Sequence, residues 1–95
     1  MILKMIAIRD VKAGIYKRIS HTRSTHDAIR GWEQVVQQKD SEFAAFPNDF
    51  ELVELGITDD ESGKTVCHER PIQLGFAKDF MKPDTQLPLP LKGVV

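Results

Sequence analysis

Apolar residues open the chain almost without a break, from Ile2-Leu3 to Met5-Ile6-Ala7-Ile8, interrupted only by Lys4. Residues 2–9 therefore read as a strand with apolar side chains on both faces, suited to the interior of a sheet. Asp10 to Gly14 predicts a turn. From Ile15 to Ser20 the pattern alternates, Ile15 and Ile19 against Tyr16 and Arg18, which predicts a half-exposed strand pairing back on the first, its polar face basic. The period then changes. Ala28, Ile29, Trp32, Val35 and Val36 recur at the i, i+3/i+4, i+7 spacing of a helix with one apolar face. Ser24 and Asp27 supply its capping pattern, in which hydroxyl and carboxylate satisfy unpaired N–H groups of the first turn. Gly31 inside this helix costs about 1 kcal/mol relative to Ala, and the helix should end near Lys39.

Ser41–Phe46 predicts a short helical turn stopped at Pro47-Asn48-Asp49. Phe50–Thr58 reads as a second apolar strand, and Asp59 to Gly63 as a hairpin loop in which Gly63 takes the positive-φ position. Lys64–His68 is the return strand. For Pro71–Phe80 a short helix is favoured over a strand. The tail from Lys82 places Pro83, Pro88 and Pro90 among Leu87, Leu89 and Leu91, a polyproline-like or disordered composition. No internal repeat is visible. The expected architecture is α+β: one domain over residues 1–81, with an antiparallel sheet of about four strands and one amphipathic helix packed on it, then an extended tail over 82–95. The apolar face of the helix should seal against Ile6, Ile8, Val53 and Leu55.

Ninety-five residues, 41% of them hydrophobic, can fold as one domain with a modest core. A chain this size buries only about 60–70% of the surface its unfolded form exposes, so a homodimer or higher oligomer is expected to add burial. No apolar run approaches the roughly 18–20 residues that span a bilayer, and the first residues lack the marks of a signal peptide, so no membrane is expected. Cys67 is the single cysteine and points to a reducing, intracellular setting.

Charge alters the picture most. Residues 1–40 hold eight Lys/Arg against four Asp/Glu, a net of +4, whereas residues 41–95 hold five against ten, a net of −5. A basic stretch beside an acidic half suggests a polyanionic partner or self-assembly. Lys17, Arg18 and Arg23 are candidates for neutralising phosphates, and Tyr16 could stack on unpaired bases. Trp32 could stack likewise, but its place on the apolar helix face argues for the core. The helix N-terminus from Ser24 to Asp27 could add N–H donors, and His21 and His26 would join when protonated or as hydrogen-bond donors. The acidic loop at Asp59-Asp60-Glu61 lacks the alternating ligands of a calcium loop. Neither His21 with His26 nor Cys67 with His68 has zinc spacing. No metal, cofactor or catalytic residue is expected, and an enzyme is not.

Several segments, in order, resemble a known family. They are Ile8-Arg9-Asp10-Val11-Lys12-Ala13, Ser24-Thr25-His26 with Ala28-Ile29-Arg30, Phe46-Pro47-Asn48-Asp49-Phe50-Glu51-Leu52, Leu55 to Gly63, and Pro71-Ile72-Gln73-Leu74-Gly75. Together, over roughly residues 1–80, they are similar to the small nonstructural protein of gokushovirus-type Microviridae, tailless phages with single-stranded circular DNA. The resemblance implies DNA binding in single-stranded genome synthesis or packaging, in the host cytoplasm, with no catalytic residues to carry over. Arg9, Lys12, Tyr16, Lys17, Arg18, Arg23 and Arg30 are the expected contacts to single-stranded DNA. The alternative is a protein-interaction module for capsid, replication or host proteins, motivated by the Leu87-Pro-Leu-Pro-Leu91 tail and the acidic half. A third reading lets the two oppositely charged halves of neighbouring subunits pair with each other.

Overall fold

A computed structural model describes residues 1–81; the expected tail over 82–95 lies outside the described residues. Strand β1 (Ile2–Asp10) pairs antiparallel with β2 (Ile15–Thr22) on one side and β3 (Phe50–Asp59) on the other, and β3 pairs antiparallel with β4 (Thr65–Phe76). The sheet order is β2-β1-β3-β4. The strand apolar on both faces is thus internal, as its sequence requires. Helix α1 (Thr25–Val36), the one-turn α2 (Glu42–Ala45) and a 3-10 turn (Ala77–Phe80) complete the described chain.

The α1 N-terminus is built as its residues dictate. Ser24 is extended, and its hydroxyl accepts from the Asp27 amide at 3.1 Å. The helix ends at Val36, three residues before Lys39, because Gln37 and Gln38 turn back onto Glu33 and Val35 carbonyls and close the last turn. Its buried residues Ala28, Trp32 and Val36 meet Ile6, Ile8, Phe50 and Leu52 of the sheet, with Phe43 of α2 and Ala77 closing the core. Trp32, Phe43 and Phe50 form an aromatic chain, with ring centroids 5.1 and 4.9 Å apart.

Register corrects the expected helix partners. Ile6 pairs with Glu54 and Ile8 with Leu52, so alternation puts Phe50 and Leu52, not Val53 and Leu55, on the helix side. Val53 pairs with Ala7 on the other side of the sheet. A second correction concerns Pro71–Phe80. Pro71 to Phe76 continue β4, and only Ala77–Phe80 form a helical turn. Pro71 is tolerated because β4 is an edge strand and its pairing with β3 is interrupted between Cys67 and Ile72. Between β3 and β4, Gly63 takes φ +75, the left-handed conformation the hairpin needed.

Strand β2 departs from simple alternation. Ile6 pairs with Ser20 and Ile8 with Lys17, so Arg18 and Ile19 together oppose Ala7 in a bulge. Arg18 is the one non-glycine residue at positive φ among the described residues, at +55°. Ile15 and Ile19, read as the apolar face of this strand, are 51% and 58% exposed and stand outside the core.

Candidate nucleic-acid interface

The basic segment does not form one patch, because strand geometry divides it. Arg9 and Tyr16 are register partners on the sheet face away from α1. There the Arg9 guanidinium donates to the Tyr16 hydroxyl at 3.0 Å and lies 5.4 Å from the ring centroid. Lys17 and Arg18 sit on the helix side. The Lys17 ammonium donates to Glu42 Oε1 at 2.8 Å and lies over the Phe50 ring, while the Arg18 guanidinium lies 5.1 Å from the Phe43 centroid. The bulge is what lets two consecutive residues share that side. Lys12 is exposed in the β1–β2 turn, Arg23 is exposed in the link to α1, and Arg30 is exposed on α1. His26 is exposed on α1 and His21 on β2, where its Nε2 lies 3.0 Å from Thr58 Oγ1.

Beside Lys17 and Arg18, a cleft of about 220 Å³ opens between α1 and β2. Its floor is Ile6, Ile8, Leu52 and Trp32; Ser20 and Thr22 stand on the β2 wall, and Asp27, Gly31 and Val35 on the helix wall. The geometry has a simple origin. Helix α1 packs toward the 3-10 turn and α2, so the sheet is less covered toward its β2 edge.

Two buried carboxylates in β3 were not flagged by the sequence reading, although acids within the apolar run Phe50–Thr58 are a visible signal. Glu54, 4% exposed, accepts from Thr25 Oγ1 at 3.1 Å and meets His68 Nε2 at 2.7 Å, with the Lys4 ammonium 4.0 Å away. Glu51, also 4% exposed, pairs in register with Arg9 and Phe76, yet its Oε2 has no partner among the described residues. The acidic hairpin pairs with the N-terminal ammonium of Met1 through Asp60 and Glu61. The Glu61 amide donates to Asp59 Oδ1 at 2.9 Å and holds that carboxyl below its ordinary range. Among the described residues no three His, Cys, Asp or Glu gather as a metal would need, and no helix is long and apolar enough to cross a membrane.

These features define a small two-layer α+β domain: a four-stranded antiparallel sheet with its helices on one face and a cationic edge strand beside an apolar cleft. By sequence, the chain belongs to the phage ORF5 protein family, whose model matches residues 3–80. No curated protein and no solved structure matches it.

Proposed function

We propose that this phage protein, of the gokushovirus-type Microviridae kind, binds single-stranded DNA during genome replication or packaging. The observation that carries the reading is edge strand β2, where the bulge sets Lys17 and Arg18 on one side, with Arg18 lining an apolar cleft and Arg23 exposed just past the strand's end. Phosphates neutralised by these side chains supply affinity, and the cleft adds contact with the unpaired bases that only a single strand offers. The Lys17–Glu42 pair is partly exposed and yields little stability, so phosphate can compete for Lys17 at small cost. A homodimer would double the basic surface.

The test is fluorescence polarisation of a labelled single strand of about 30 nucleotides across a salt series. Four engaged cations give a log–log slope of roughly −3, from about −0.7 per phosphate on single strands. Engagement of Lys17, Arg18 and Arg23 alone gives about −2. A flat salt response, or unchanged binding after Lys17→Ala/Arg18→Ala/Arg23→Ala, overturns the reading.

A second reading, a protein-interaction module in capsid assembly or host-factor binding, has its own support. Both outer strands present exposed apolar residues, Ile15 and Ile19 on β2 and Val66 and Ile72 on β4, beside edges that pair with no further strand among the described residues. Such edges accept an added strand. Under this reading Val66→Lys abolishes capture of a capsid or replication protein and leaves DNA binding unchanged.

A further inference from the structure

Three features that look unrelated in the sequence border the same cleft. Gly31 sits in α1, where alanine would be more stable, and a Cβ built there meets nothing within 4 Å. Trp32 is 3% exposed, yet its indole N–H has no acceptor among the described residues. A buried unpaired donor of this kind is uncommon and costs free energy. Arg18, which also lines the cleft, is held at positive φ in the bulge with its guanidinium over the Phe43 ring. Each is a local cost to folding, and all three residues line the one cleft, although the indole N–H itself is closed off from it.

Resting on the single-strand reading above, we propose that this cleft seats one unpaired base of the bound strand. The size fits, since about 220 Å³ exceeds the roughly 150 Å³ engineered cavity that holds one benzene ring. The chemistry fits as well. Ile6, Ile8, Leu52 and Trp32 line the cleft with apolar side chains against which a ring can pack. Ser20 and Asp27 on the two walls supply a hydroxyl and a carboxylate for the polar edge of a base. Asp27 disfavours a phosphate inside the cleft, whereas Arg18 favours one at its mouth. The charge arrangement therefore orients a nucleotide with its base inward and its phosphate outward. Gly31 keeps that mouth open, because any side chain there grows into the same space.

The test compares two labelled strands of equal length and charge, one of thymidylates and one of abasic residues, against the full-length protein. The thymidylate strand is expected to bind about 5- to 150-fold more tightly, the range base stacking contributes. It should also change the emission of Trp32, the sole tryptophan, whereas the abasic strand leaves the emission unchanged. Gly31→Leu, which fills the mouth and favours the helix, should abolish the preference while keeping abasic binding; Gly31→Ala should reduce it. Equal affinity of the wild type for both strands overturns the base site and leaves salt-dependent DNA binding standing. A preference that survives Gly31→Leu overturns the site likewise. Failure to bind either strand at low salt overturns the DNA reading and this site with it.

Discussion

One added methyl group should act in opposite directions at two glycines of this chain. At Gly31 in α1 the space is open, and Gly→Ala in a helix interior gains about 0.8–1 kcal/mol. At Gly56 in β3, opposite Cys67 of β4, a Cβ would stand 2.3 Å from the Val66 carbonyl oxygen and 2.8 Å from the Cys67 Cα. Both obstacles are backbone, so no rotamer relieves them. Ordinary contact begins at 3.4 Å, so β4 must retreat by about 1 Å. Overpacking of this kind costs about 1–3 kcal/mol, and each weakened ladder hydrogen bond adds about 1 kcal/mol. Gly56→Ala should then cost about 2–4 kcal/mol. In a domain of this size 1 kcal/mol moves Tm by about 4–8 °C. Thermal unfolding followed by far-UV circular dichroism should place Gly31→Ala about 3–8 °C above wild type and Gly56→Ala about 10–25 °C below it. A Gly56→Ala protein within about 3 °C of wild type would refute the close β3–β4 approach. A destabilised Gly31→Ala would show that position 31 is not open in the folded protein.

The two buried carboxylates should also part company. Glu51→Gln removes a charge whose Oε2 has no partner among the described residues and should gain about 1 kcal/mol, whereas Glu54→Gln weakens contacts to His68 and Lys4 and should lose about 1–2 kcal/mol. Urea midpoints in the reverse order would contradict the assignment of partners. Ser24→Ala removes the acceptor of the Asp27 amide and should cost about 1 kcal/mol by the same assay; no change would mean the cap contributes nothing. The Glu61 amide, helped by Ser62, keeps the folded pKa of Asp59 below its ordinary 3.8, so its contribution is present above that value and is lost as pH falls through the lowered one. Asp59→Asn should accordingly trail wild type near neutrality and converge with it in acid, as Tm across a pH series would show.

Periodicity carried most of the fold. The run at residues 2–9, the helical spacing from Ala28 to Val36 and the Asp59–Gly63 loop each have a local cause, and local causes are visible in sequence. What failed is what depends on register. Val53 and Leu55 are as apolar as Phe50 and Leu52, and only the pairing of Ile8 with Leu52 decides which pair faces the helix. Residues 71–80 read as a helix rather than a strand, and Pro71 fits a strand only at an edge or a break in the ladder. Whether a strand lies at an edge is a property of the finished sheet. The cleft was hidden for a similar reason, since Gly31 registers in sequence only as a weak helix residue. Clustering in sequence also misled about clustering in space, as Arg9 with Tyr16 and Lys17 with Arg18 stand on opposite faces of the sheet.

The bulge in β2 links the strain of the fold to its charge. A regular strand would send Lys17 and Arg18 to opposite faces, and one extra residue brings both to the helix side. Holding Arg18 at φ +55 costs about 1 kcal/mol or more, and its position over Phe43 returns about 0.5–1 kcal/mol as a cation–π contact. The two nearly offset each other, so stability alone gives arginine no advantage over glycine there. Arg18→Gly relieves the backbone strain and deletes the contact, and should leave the urea midpoint within about 1 kcal/mol of wild type. The same change removes one cation from the helix side of β2. It should weaken single-strand binding at low salt and reduce the salt slope by about 0.7. A large loss of stability with unchanged binding would make Arg18 a structural residue and would remove the main support for a DNA-binding edge. Retained stability with weakened, less salt-dependent binding would mean that the strain in β2 is tolerated for the placement of a charge.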